Sequence, residues 1–307
     1  MKKIHKNKKH IFTIIFFLLL ILSGAYYGFF SSLRQNNLSS SFYKTAKVTI
    51  SPIPTKVLLT PTPSFTPTPT LTPTPTLAPT PTPLSGYCLR VPVLLYHHIQ
   101  PTSIAGEKKQ TALSVDNGIF DQQMGYLASS GYTTITAKQL VDALKTHSIL
   151  PPKSILVTLD DGYKNDYDYA YPVFQKYHIT ANLMIATGLI GGEDYLSWGQ
   201  LEEMAKSGLV YFTNHTWSHY ALGRGDRAKT IYEVQTAKQQ LEQHTSQAVD
   251  IFTYPYGSFN QAAISILQEQ GVVAAFSTIP GMYQCDSIVM QLRRTRIGNA
   301  PLSSYGL

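Results

Sequence analysis

The first 86 residues contain no aspartate or glutamate, against nine lysines or arginines. That absence accounts for the basic excess of a 307-residue chain whose formal net charge is +7. Residues 87–307 carry sixteen basic and eighteen acidic side chains, a net of −2. A nucleic-acid-binding domain needs its basic surface on the folded part, so this balance excludes nucleic acid as a partner. A second absence lies inside the tail, where residues 11–30 hold no charged side chain. Twenty such residues match a hydrocarbon core of roughly 30 Å at ~1.5 Å per residue. Lys2, Lys3, Lys6, Lys8 and Lys9 precede them and belong in the cytoplasm, which sends the rest of the chain outward. The stretch is long for a secretory signal and has no clear A-x-A site around Ser23-Gly24-Ala25. An uncleaved single-pass anchor in the cell membrane is expected; cleavage would instead release a secreted protein.

Residues 31–86 read as an extracellular linker. Pro61-Thr62-Pro63 and Pro67-Thr68-Pro69-Thr70 belong to a Pro/Thr repeat with too little apolar surface to pack. Such a segment favours extended polyproline II, at ~3.1 Å per residue. Thr-Pro tracts outside the cell are also candidates for O-glycosylation.

From residue 87 onward, apolar strand-like runs alternate with helical patterns. Strands are expected at Val91–Tyr96, Ile155–Leu159, Ala181–Ala186, Val210–Thr213, Ile251–Thr253 and, closing the series, Val272–Ser277. Helices are expected between them, among them Phe120–Ser130, Lys138–Thr146, Tyr167–Tyr177, Trp198–Ser207, Lys229–His244 and Gln261–Gln270. This alternation implies a parallel α/β sheet or barrel.

Three motifs follow strands. Ile155–Leu159 delivers Asp160-Asp161-Gly162 at the end where parallel sheets place their chemistry. Neighbours on a strand point to opposite sides, so the two carboxylates can serve a metal and a proton separately. His215 and His219, four residues apart, would meet on one side of a helical turn. With Asp161 they form a two-histidine, one-carboxylate set, a composition used for Zn²⁺ and for non-haem Fe²⁺. Tyr254-Pro255-Tyr256-Gly257 supplies a rigid loop with exposed N–H groups and aromatic rings.

The order L-D-D-G, H-T-x-x-H, Y-P-Y-G resembles the polysaccharide deacetylases of carbohydrate esterase family 4, the NodB-like domain. Leu159-Asp160-Asp161-Gly162-Tyr163 with Tyr167, Ala170 and Pro172, Trp198-x-Gln200-Leu201, and Leu241-Glu242 extend the likeness over residues 90–300. The resemblance implies a distorted (β/α)7-type barrel and hydrolysis of N-acetyl groups on a wall or matrix polysaccharide containing N-acetylglucosamine. It implies Asp160 as general base and Asp161, His215 and His219 as ligands of a divalent metal, Zn²⁺ first, with Co²⁺, Ni²⁺ or Fe²⁺ as alternatives. The backbone N–H of Tyr256 would serve the oxyanion. A monomer is expected.

The chain departs from the family's commonest pattern in having no histidine after His244, which removes the late L-x-x-H acid. Tyr96-His97-His98 at the end of the first strand resembles the permuted branch that includes poly-β-1,6-N-acetylglucosamine deacetylases. It implies His97 as general acid, with His98 as the second choice. Thr253 stands where R-x-P-Y-G members have the arginine that orients the base; Arg296, in Arg294-Thr295-Arg296-Ile297, is expected to replace it. Cys88 and Cys285, the two cysteines, flank the first and last recognisable strands, ends that a closed barrel can bring together, and a bridge between them is a hypothesis that the sequence leaves open. Two other functions stay open: an O-acetyl esterase on xylan, and a silent membrane-tethered carbohydrate-binding module. The silent module predicts a broken ligand or base set, whereas Asp160, Asp161, His215 and His219 are all present.

Overall fold

The computed structural model describes residues 84–307. The expected cytoplasmic tail, membrane anchor and all but the end of the linker lie outside them. Among the described residues, no helix is long and apolar enough to cross a membrane.

Seven parallel strands form a closed ring: β1 (Val93–Tyr96), β2 (Ser154–Asp161), β3 (Ala181–Ile185), β4 (Val210–Asn214), β5 (Ile251–Thr253), β6 (Ala274–Pro280) and β7 (Leu292–Arg296). β2 to β7 follow one another in chain order, and β1 fills the gap between the last and the first of them. Leu94 pairs with Thr295 on one side and Val157 on the other, both in parallel register. The expected barrel is therefore present, with the earliest strand as its closing stave.

The strand series runs one element further than the sequence predicted. β7, Leu-Arg-Arg-Thr-Arg, is not an apolar run, because one of its inward positions carries Arg294. Buried strands of parallel barrels are recognised by continuous apolar residues, and a charge compensated inside the fold defeats that signal. The expected Tyr167–Tyr177 helix is also divided, into a wide π turn at Asp166–Ala170 and a helix over Tyr171–Tyr177.

The outer helices begin where side chains satisfy free N–H groups. Thr136 with Gln139 and Ser197 with Gln200 build capping boxes on the helices Ala137–Thr146 and Trp198–Lys206. Asp116, Asp226 and Asn260 cap the helices Asn117–Ser129, Arg227–Thr245 and Gln261–Glu269. Inside the ring, Val93, Leu156, Met184, Ile251, Phe276 and Leu292 form a buried cluster from six strands. Leu156 shares a strand face with Asp160, and Leu292 shares one with Arg294. The cluster is thus an apolar floor beneath the polar groups at the carboxyl ends.

Outside the ring, Cys88–Arg90 pairs antiparallel with Tyr283–Cys285, and Cys88 lies opposite Cys285. The two cysteines are bonded, as the barrel's closure suggested. The bridge joins positions 197 residues apart, so it removes a large loop from the unfolded ensemble. Replacing both cysteines with serine should lower unfolding free energy by about 2–5 kcal/mol in urea titration of the oxidised protein. An unchanged midpoint and slope would refute a stabilising role.

Candidate active site

β2 is buried along its whole length, so its terminal carboxylates are delivered into the barrel mouth already desolvated. Asp160 is answered by Arg294 of β7, whose Nη1 and Nη2 donate to Oδ1 and Oδ2 at 2.6 and 2.7 Å. Arg294 also donates from Nε to Ser277 O and from Nη1 to Thr158 Oγ1, which fixes the guanidinium plane. Burial pushes the Asp160 carboxyl up, but the Arg294 charge and its hydrogen bonds prevail and hold it below the usual range.

The arginine beside Asp160 is therefore Arg294, and not Arg296 as expected. Both lie on the same face of β7, two residues apart, but Arg294 sits deeper, at the level of Asp160. Arg296 is at the rim, where Nη2 donates to Ala112 O at 2.9 Å. The signal for an arginine on this strand was legible; the choice between two alternate positions was not.

Asp161 has a φ of 79°, unusual for a residue with a side chain, and Gly162 follows at 81°. Two consecutive positive φ angles turn the chain abruptly out of β2. A Cβ on Gly162 would approach Ile185 Cδ1 to 3.0 Å, which accounts for the glycine of the motif. The turn presents Asp161 Oδ1 to His215 Nε2 at 3.3 Å and His219 Nε2 at 3.1 Å. Burial raises the Asp161 carboxyl, yet the two facing imidazoles outweigh it and hold it well below its ordinary value.

The histidines do not share a helical turn. His215 to His219 is irregular, with φ of 68° at Thr216 and 58° at His219. Polar anchors replace helical hydrogen bonds there: Thr216 N donates to Asn214 Oδ1, Tyr220 N to Thr216 Oγ1, and Ser218 N and Oγ to Glu233. His215 Nδ1 donates to Thr253 O at 2.8 Å, so Nε2 keeps its lone pair toward Asp161. One ligand atom from each of Asp161, His215 and His219 lies within 4.8 Å of the others. Asp161 Oδ1 is buried without a hydrogen-bond partner among the described residues, between two nitrogens that can present lone pairs. Three such donors facing one point fit a divalent cation.

A cavity of about 590 Å³ opens over this cluster, lined among others by His97, Asp160, Asp161, His215, His219 and Tyr256. Its wall also includes Tyr163, from the L-D-D-G-Y motif, stacked at a ring-centroid distance of 5.2 Å on Tyr195, which motif reading did not single out. His97 faces the cavity; His98 turns away, stacks on Tyr163 at 3.6 Å and meets Asn165 Nδ2 through Nδ1 at 2.9 Å. Burial lowers His97, opposed by the charges of Asp160 and Asp161, and brings His98 down to about 4. Tyr256, at φ 59° and 72 % exposed, overhangs His219 with ring centroids 4.4 Å apart. Gly257 must be glycine in this loop, since φ is 64° and a Cβ would fall 2.0 Å from Thr278 Oγ1.

A parallel α/β barrel with a paired carboxylate and an Asp–His–His cluster at its carboxyl-end mouth belongs to the class of barrel hydrolases. Residues 147–275 match the polysaccharide deacetylase family. It is 28 % identical over 208 residues to the Bacillus subtilis protein YxkH, covering 68 % of this chain and 71 % of that one. A Staphylococcus epidermidis poly-β-1,6-N-acetyl-D-glucosamine N-deacetylase is 27 % identical over 187 residues, 57 % of this chain and 64 % of the relative. The solved structure of the Streptococcus pyogenes deacetylase PplD, in complex with acetate, superposes with a TM-score of 0.65 at 26 % identity, covering 70 % of this chain and 97 % of that one.

Removing Arg294 would strand a buried charge on Asp160. Arg294→Met should cost about 3–5 kcal/mol of stability near neutral pH. Because the folded Asp160 is depressed, its contribution is complete above the unfolded value and is lost as pH falls through the folded one. The variant's deficit should therefore shrink on acidification, and a deficit independent of pH would contradict the pairing.

Asp166 behaves oppositely. It is fully buried and neither carboxyl oxygen has a hydrogen-bond partner among the described residues. Burial, then the charges of Asp161 and Asp160, push it well up. A raised group stabilises fully below its unfolded value, about 3.9, and loses that contribution as pH rises through the folded one. Asp166→Asn should raise the melting temperature at pH 7, and the gain should fade toward pH 4. A loss at pH 7 would show that the carboxyl carries a needed charge.

Proposed function

We propose that the protein is a metal-dependent N-deacetylase acting on an N-acetylglucosamine-containing polysaccharide of the cell wall or extracellular matrix. The observation that carries this reading is one cavity holding a guanidinium-paired carboxylate, a three-donor cation cluster and a separate histidine. The name of the Staphylococcus epidermidis relative supports the choice of an amide-linked acetyl group on glucosamine. The proposal places the domain outside the cell, held by residues 11–30 and spaced from the membrane by residues 31–86.

Asp161, His215 and His219 would hold a divalent cation, Zn²⁺ or a similar ion, which would supply Lewis acidity toward the acetyl carbonyl and acidify water. Asp160 accepts the proton of the attacking water, and Arg294 keeps its oxygens in place. The backbone N–H of Tyr256 donates to the carbonyl oxygen as it gains charge. His97 donates a proton to the amine nitrogen as the carbon–nitrogen bond breaks, leaving acetate and the free amino sugar. The orientation of His98, stacked on Tyr163, supports His97 for this role.

Acetate release from N-acetylglucosamine oligomers, peptidoglycan and acetylated xylan tests the reading. Activity on the first two, abolished by chelation and restored by Zn²⁺ or Co²⁺, is expected. Asp160→Asn and His97→Ala should each lower kcat by about 10²–10⁴-fold. Zn²⁺ should also raise the melting temperature of the parent chain but not of Asp161→Asn, a readout independent of turnover. Turnover of xylan alone would favour the esterase, and no turnover with an inert Asp160→Asn would favour the silent module.

A further inference from the structure

Arg294 occupies the base-orienting position, which leaves Arg296 without an assigned task. The cavity over the cation cluster is continuous in its lining with a second one of about 370 Å³, since His97, Leu113 and Arg296 border both. The remaining walls of this second lobe are Thr111, Ala112, Ser114, Ile297, Gly298 and Asn299. No aspartate or glutamate lines it. Arg296 makes one hydrogen bond, to Ala112 O, and no ion pair with a carboxylate among the described residues. A guanidinium carries five N–H donors in a planar fork, so most of this fork remains available to a ligand. A lone cation among neutral hydrogen-bonding groups, in a lobe opening off the reaction cavity, has the chemistry of a carboxylate seat.

We propose that Arg296 is a specificity-determining residue that binds a carboxylate on the sugar beside the one deacetylated. The preferred substrate is then an acidic amino-sugar polymer and not neutral poly-N-acetylglucosamine. This rests on the deacetylase reading and narrows its substrate class. The carboxylate could come from a lactyl ether on a neighbouring amino sugar or from a uronic acid, and the two can be separated.

The test uses the metal-loaded full chain and oligosaccharides pairing N-acetylglucosamine with either acidic sugar, each as the free acid and as its methyl ester. The free acid of one series should be deacetylated with kcat/KM about tenfold above its ester, and that series identifies the source. Arg296→Gln should bring the ratio to about one, and Arg296→Lys should keep part of it. A ratio near one for both series in the parent chain, or a ratio unchanged by Arg296→Gln, overturns the proposal. If no oligosaccharide releases acetate, the deacetylase reading falls and calorimetric binding of acid and ester decides the seat by itself. Tighter binding of the acid, lost in Arg296→Gln, then upholds it; equal binding removes it.

Discussion

The bidentate pair between Arg294 and Asp160 is the constraint on which the rest of the site depends. Both groups are almost wholly removed from water. Desolvating either alone would cost several kcal/mol, so each requires the other within the barrel. The pair also links β7 to β2 past the strand that separates them. Thr158 Oγ1 takes part from both sides, accepting from Arg294 and donating to Leu94 O of β1. Three neighbouring strands are thereby locked at the level of the barrel mouth, and Asp160 is held ionised.

The same three strands explain the chain's permuted order. β1 comes first in sequence but sits between β7 and β2, so the amino and carboxyl segments of the domain must meet there. The Cys88–Cys285 bridge and the short ladder around it tie those segments just outside the ring. His97, the residue after β1, is by this route carried to the same mouth as the end of β2. A histidine some sixty residues ahead of Asp160 in sequence comes to line the same cavity.

Much of this was legible before any coordinates. Six of the seven barrel strands are apolar runs, and the helices between them carry ordinary capping residues. The candidate cation cluster was legible because Asp161, His215 and His219 each follow such a run, and strand ends in parallel barrels converge. Two misreadings have a common cause. The histidine spacing suggested a helical turn, but side-chain anchors and two positive φ angles hold an irregular loop instead. The last strand went unread because its buried position is an arginine, which looks like surface until its partner is known.

By itself the sequence determined the parallel α/β class, the three residues of the candidate cation cluster and the place of the paired carboxylates, since these follow from local apolar runs and the motifs that end them. Tertiary structure alone decided which arginine faces Asp160 and which of two adjacent histidines faces the cavity. Each of those is a question of depth or direction at neighbouring positions. Residues one or two apart differ little in sequence pattern but, once the ring closes, occupy places with different partners and different access to water.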